Sequence, residues 1–485
     1  MIRALEVAFD ACGPDRSGPL MWGQVAIWDV LSWLPPGDCS LNQMTWLPVP
    51  DDRSTEQVTA ALSALLVRHE ALRSTFHEAA GTLTQTVAAS GRLTLACESL
   101  GGEPAQEAAR VGGALRDRSF DVGSGLPLRA ALLLTADERP AALVIVASHL
   151  AVDGSSLRIV RSDLQTLLHS PGTLGPRARQ PIDRALHERS TTGRLREERT
   201  VAHWDRTLRA MEPQTLRTLD HLGEARFEWG RMESPGAAQA VRRLAAASGV
   251  GEMAVLLAAT VLVLAALTGD RELAFRSIVA TRFQQEDAEL VGAFNLNALL
   301  RLPVTEGTVR DFLRRVGNTY ILSLRYCEAG PRQIDATIAK VGEEGDFTPG
   351  DYCFLNDVRY HERDAEAQSG DAAPATVITR FDSPNRQKGS KFFLYVRELS
   401  ARCVLTLCVD RRFLPDCSVD AFLARLDDLL VREAGLGDVS RTVAESIAAV
   451  GRPLPSGGRL MAATGTTTPP LPQPAAPPGR SSRCR

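Results

Sequence analysis

AALVIVASHLAVDGSSLRIVRSDLQTLL, residues 141–168, is the stretch on which the fold is decided. Residues 141–149 are short and rich in β-branched side chains, which predicts a buried strand. Residues 153–168 repeat their apolar positions with helical spacing, and Asp153 to Ser155 stand where such a helix begins. A strand feeding a helix is an α/β unit. Open α/β sheets bind ligands at the carboxyl ends of their strands, where this reading puts His149. An imidazole there, with Asp153 in the loop and a helix N-terminus beside it, supplies a base and donors for a developing oxyanion, as acyl transfer requires. The same residues also suit a core histidine beside a helix cap, with Asp153 as the cap. Taken alone, SHLAVDG (148–154) leaves both readings open.

Upstream, STEQVTAALSALLVRHEALRSTF (54–76) predicts a helix with a Ser54–Gln57 capping box. Val58, Leu62, Leu65, Leu66, His69 and Leu72 form its buried face. Residues 83–98 alternate and read as strand. Downstream, SPGTLGPRARQP (170–181) breaks the pattern, and a charged helical stretch runs from Ile182 to Leu208. The second half repeats the mixture. Strands are expected at 272–280, 293–302, 392–399 and 402–409, and helices at 238–248, 252–268, 309–327 and 418–434. From Thr464 the chain is Pro-rich with almost no large apolar residues, so it cannot bury enough surface to offset ordering entropy.

The chain has 485 residues, more than one ordinary core absorbs, so two lobes of roughly 150–250 residues are expected. Hydrophobic residues at 44% and charged residues at 23% are ordinary for a globular protein. A net charge of -3 with no basic run in the sequence argues against nucleic acid as a partner. The apolar stretch Met253–Leu267 is shorter than the ~20 residues a bilayer span needs, so a core helix is expected and no membrane. Nine cysteines form no CxxC pair and the start lacks a signal-peptide layout, which fits a reduced, cytoplasmic protein without structural zinc. Seven further histidines (69, 77, 169, 187, 203, 221, 361) have no metal-ligand spacing; His69 reads as a satisfied packing residue.

The chain resembles the condensation domains of nonribosomal peptide synthetases, within the chloramphenicol-acetyltransferase-like superfamily. Their HHxxxDG signature is matched here by Ser148-His149-x-x-x-Asp153-Gly154. In the family's order follow or precede PLMWGQVAIW (19–28), LVRHEALRSTF (66–76), FDVGSGLPLRAALL (120–133), IVATRFQQEDAELVGAFNLNALLRL (278–302) and FFLYVRELSARCVLTLCVDRRFL (392–414). The resemblance implies an α/β fold of two acetyltransferase-like lobes in a V-shaped pseudo-dimer with a central tunnel. The N-terminal lobe would span 1–170, a linker and connecting helix 171–200, the C-terminal lobe 201–455 and a disordered tail 456–485. It implies that His149 deprotonates or positions the acceptor, or stabilises the tetrahedral intermediate. Asp153 would be a scaffold residue paired with Arg282, and Gly154 would let backbone approach the tunnel or simply start the helix. No bound cofactor is implied. The acyl donor would arrive on the phosphopantetheine arm of a carrier protein acting in trans on a free-standing, monomeric enzyme, with a small-molecule amine or alcohol as acceptor.

Two departures stand out. Ser148 replaces the first histidine, and on a strand the neighbours Ser148 and His149 would face opposite ways. Asn295 and Asn297 each lie one residue from the family's asparagine, which puts them on the other face and predicts a surface or loop role. Two competing functions remain: an acyltransferase that uses acyl-CoA, and a non-catalytic adaptor that recruits tailoring enzymes.

Overall fold

The computed structural model describes residues 3–170, 172–359, 375–383, 389–435 and 441–451, so the 456–485 tail lies outside the described residues. The first half runs β1 (Arg3–Asp10), β2 (Arg16–Pro19), α1 (Trp22–Trp33), β3 (Gln43–Pro48), α2 (Thr55–Arg68), β4 (Ser74–Ala79), β5 (Thr82–Val87) and β6 (Ser90–Ser99). It continues with α3 (Pro104–Arg116), β7 (Leu128–Leu134), β8 (Pro140–Ala147) and α4 (Gly154–His169). Three helices follow: α5 (Pro181–Glu188), α6 (Thr191–Arg209) and α7 (Pro213–Leu216). The second half begins β9 (Phe227–Ser234), α8 (Pro235–Ser248), α9 (Glu252–Thr268), β10 (Glu272–Ala280), β11 (Asn295–Pro303), α10 (Val309–Leu324) and α11 (Pro331–Glu344). It ends β12 (Tyr352–Asp357), β13 (Val377–Phe381), β14 (Ser390–Leu399), β15 (Cys403–Asp410), α12 (Val419–Gly435) and α13 (Val443–Val450).

The strands segregate by half. A five-stranded sheet has the order β1-β6-β7-β8-β3, a small one β2-β5-β4, and a seven-stranded sheet β11-β10-β12-β14-β15-β9-β13. In β8, Leu143, Ile145 and Ala147 join the core under α2 and α4, while Ala142 and Val144 join the one under α3. Helices on both faces explain why this strand is apolar at every position rather than at alternate ones. The long apolar run of α9 is likewise a core helix, buried from Met253 to Ala265 against the seven-stranded sheet. No single described helix is long and apolar enough to cross a membrane.

Two local expectations are corrected. The helix expected over 54–76 does have its Ser54–Gln57 capping box, but stops at Arg68. His69 leaves helical dihedrals (φ -110, ψ 103), a 3-10 turn takes Glu70–Arg73, and Ser74–Ala79 is strand. A buried tertiary contact outweighs propensity here, because His69 Nε2 donates to Asp163 Oδ2 of α4 at 2.8 Å. The single strand expected over 83–98 is two, β5 and β6, which belong to different sheets.

Candidate active site

β8 ends at Ala147, so His149 sits in the turn that follows and not on the strand. The pleat argument for Ser148 and His149 therefore does not apply. The Ser148 carbonyl accepts from Ala151 N at 2.9 Å and Val152 N at 3.2 Å, while Ser148 Oγ accepts from Leu150 N at 3.3 Å. Ser148, 3% exposed, thus closes the turn on itself. His149 closes it from the other side, where Nδ1 donates to the Val152 carbonyl at 2.7 Å. A carbonyl can only accept, so in the neutral ring this bond places the proton on Nδ1 and the lone pair on Nε2. His149 as a whole is half-buried. Burial pushes its pKa below the usual histidine value, opposed by the Val152 carbonyl and the Asp153 charge. A neutral ring with a defined acceptor nitrogen can remove a proton near pH 7.

Asp153, 1% exposed, ends the turn and begins α4. Its Oδ1 accepts from Ser156 N at 2.7 Å and from Arg282 Nη2 at 2.9 Å, and its Oδ2 accepts from Phe294 N at 3.2 Å. It is both a helix cap and one half of a buried ion pair. The cap occupies the Ser156 N–H, so that donor is not available to an oxyanion. Arg282 also reaches Ser156 Oγ at 2.6 Å and lies over the Phe294 ring at 3.9 Å. Ser156 Oγ in turn donates to Gly292 O at 2.7 Å and accepts from Gly292 N at 2.9 Å. Gly154 is the buried first residue of α4 and takes no left-handed conformation, so its place here is that of a helix start.

α1 supports the turn from the other side. The Gln24 and Gln85 amides, both fully buried, exchange hydrogen bonds at 3.1 and 3.3 Å, and Gln24 Nε2 also donates to Leu150 O at 3.4 Å. One residue earlier, a Cβ on Gly23 would stand 2.2 Å from Ala293 O, so only glycine lets α1 lie this close to the chain entering β11. Gln24 and Ser156 are support residues that sequence reasoning did not single out. Gln24 lies inside the quoted 19–28 block, but Ser156 has no signal beyond a cap-like DGSS run.

Behind α1 lies a buried ionic cluster. Arg184 donates to Glu188 at 3.3 Å, to Asp287 at 2.7 Å and to Glu328 at 2.7 Å, and Glu188 also accepts from Trp22 N at 2.8 Å. Burial pushes the Glu188 carboxyl up to about 7 against the pull of Arg184. Asn295 and Asn297 are not in a loop. They are half-buried in β11, opposite Ala280 and Ile278 of β10, because the chain entering β11 is fixed by the Asp153–Phe294 bond. Among the described residues no group of three or more His, Cys, Asp or Glu side chains could hold a metal ion.

The fold and this turn define an α/β protein whose strand–turn–helix unit carries a half-buried imidazole and a buried Asp–Arg pair. The family model described as "Condensation domain" matches residues 29–337, more than half of the chain, and the chain belongs to that family. A relative, phosphinothricin tripeptide synthetase PhsC of Streptomyces viridochromogenes, is 31% identical over 330 residues, 64% of this chain. The chain spans only 30% of that synthetase's length. Among solved structures, the condensation domain of the monacolin K polyketide synthase MokA superposes with a TM-score of 0.66 at 16% identity, covering 89% of this chain and all of that one. SgcC5 of Streptomyces globisporus, solved with a naphthyl ethanediol and sucrose, gives 0.64 at 19% identity, covering 86% and 98%. These likenesses show the chloramphenicol-acetyltransferase-like fold.

Proposed function

We propose that this chain is a condensation enzyme that joins a carrier-tethered acyl or aminoacyl thioester to an amine or alcohol. The observation that carries this reading is the Nδ1–Val152 bond of the half-buried His149, which leaves Nε2 as the acceptor. The acceptor N–H or O–H gives its proton to Nε2 as its heteroatom attacks the thioester carbonyl. A C–N or C–O bond forms and the C–S bond breaks. The proton then passes to the departing pantetheine sulfur, and no outside oxidant or reductant is needed. Base catalysis contributes about 10²–10⁴ in rate, and holding both substrates together contributes much of the remainder. The diol in the SgcC5 structure keeps alcohols among the acceptors considered. Ser148 fits this reading, since its position serves the turn and not the chemistry.

The test is turnover of loaded carrier protein by the wild type and by His149→Ala. Loss of amide or ester product in the variant, with an unchanged melting temperature, supports the proposal. Equal product from both sinks it. Parallel reactions with acyl-CoA decide the donor.

A further inference from the structure

About half of the described arginines pair with a carboxylate, and of those that do not, four lie on α10 or at its C-cap. That helix turns Val309, Phe312, Leu313 and Val316 into the core, and its last turn sets Leu324 beside Val279 and Ala298. On the opposite side Arg314, Asn318, Ile321 and Arg325 recur at i, i+4, i+7 and i+11, which is one stripe, with Arg315 and Leu322 at its edge. All six are exposed. Ile321 is 59% and Leu322 46% exposed, and among the described residues they are the one pair of large exposed apolar side chains adjacent in sequence.

Arg310, Arg314, Arg315 and Arg325 form no ion pair among the described residues. Arg314 Nε donates to Ser248 O at 3.1 Å and Arg315 Nη2 to Glu306 O at 3.4 Å, both backbone carbonyls. Read along the sequence these arginines make no basic run, because apolar core residues separate them. The helical period brings them together. Uncompensated like charges repel, and paired exposed aliphatics lose hydration free energy. Both costs fall on one face of one helix, which marks a surface that a partner completes. Four arginines and no lysine suit bidentate recognition of carboxylates. The aliphatic pair at the centre does not suit a nucleic acid, whose footprint is basic and follows the phosphates.

We propose that this face of α10 is the docking surface for an acidic carrier protein. An apolar side chain of the carrier seats against Ile321 and Leu322, and its carboxylates meet Arg314, Arg315 and Arg325. The inference rests on the carrier-dependent reading above. It is also consistent with the route to the turn. Leu324 packs on Val279, three residues before Arg282, a strand distance of roughly 10 Å, and Arg282 holds Asp153.

The experiment compares one acyl group presented on a carrier protein and on free pantetheine. The 485-residue chain is assayed as wild type, as Ile321→Asp and as the double variant Arg314→Glu with Arg325→Glu. Expected is a rise of about tenfold or more in KM for the carrier substrate in each variant, with turnover of the free pantetheine thioester unchanged. The wild-type carrier KM should also rise with salt. Unchanged carrier KM in both variants overturns the docking surface, and so does an equal loss on both substrates, which would report damage to the fold. A wild type inactive on both substrates sinks the condensation reading instead. Docking is then judged by calorimetric titration with the carrier alone: no binding overturns it, and binding lost in the variants supports it. A wild-type dimer that Ile321→Asp dissociates, or RNA binding that only the arginine changes remove, also overturns it.

Discussion

Arg282 Nη2 meets Asp153 Oδ1 at 2.9 Å, a bond between residues 129 positions apart that ties the loop after β10 to the start of α4. Both side chains are largely buried, at 10% and 2% exposure. Removing one partner leaves the other as an uncompensated buried charge. We therefore expect Arg282→Ala to cost about 3–5 kcal/mol in urea unfolding. Asp153→Ala should cost a comparable amount, and the double variant less than the sum, by about 0.5–3 kcal/mol of coupling. Strictly additive costs would show that the pair does not act as a unit.

His149→Ala should lower turnover at least ~10²-fold with little change in stability, since the residue is half-buried and what its side chain holds is the hydrogen bond to the Val152 carbonyl. In the proposed reaction the neutral ring is the active form, and burial lowers its pKa. The acidic limb of the pH–rate profile should then lie below ~6.5, the ordinary histidine value. The same shift means the unfolded chain binds a proton more readily, so stability falls as pH drops from the unfolded pKa towards the folded one. An acidic limb above that value would contradict the desolvated environment.

Ser148→Ala removes one acceptor from the turn and should cost about 1 kcal/mol, with turnover kept within tenfold. Ser148→His, which restores the paired histidines of the family signature, places a larger ring at a site only 3% exposed. Overpacking of that kind costs about 1–3 kcal/mol, so this change should lower the melting temperature and not raise activity. A more active Ser148→His chain would assign the first histidine a chemical part.

Gly23→Ala would set a Cβ 2.2 Å from Ala293 O and must push α1 away from β11. We expect a loss of about 1–3 kcal/mol or more, with turnover falling because Gln24 no longer reaches Leu150 O. Thermal unfolding and steady-state kinetics read the two effects separately. A neutral substitution would show that α1 does not support the turn.

Glu188, whose carboxyl is pushed up to about 7, holds a proton in the folded chain at pH values where the unfolded chain has released it. Its contribution to stability is therefore present below ~4.3, the unfolded value, and is lost as pH rises through about 7. Glu188→Gln keeps the acceptor for Trp22 N and removes the titration. Urea unfolding at pH 5.5 and pH 8 should show a smaller pH difference in the variant, by on the order of 1–3 kcal/mol. An unchanged difference would move the titration elsewhere in the Arg184 cluster.

Periodic signals were legible wherever local physics dominates. The helices at 252–268 and 309–324, the capped start of α2 and the strands that form most of the seven-stranded sheet were all readable from spacing and residue type. Readings failed where a distant contact overrides propensity. His69 ends its helix to reach Asp163, the break between β5 and β6 sends neighbouring residues to different sheets, and Asn295 and Asn297 are held in a strand. None of those partners lies within a helical turn or a hairpin of the residue it controls.

From its residues alone the chain declares an α/β composition, an imidazole and a carboxylate four positions apart, and a family signature with one histidine replaced. Those are matters of residue type and short spacing. Folding decided which ring nitrogen of His149 accepts a proton, that Asp153 serves as cap and as counter-ion at once, and that Ser148 belongs to the turn. It also decided that four scattered arginines share one side of α10. Each outcome depends on a hydrogen bond, an ion pair or a helical winding that brings separated groups within a few ångströms, and such proximity has no counterpart in linear order.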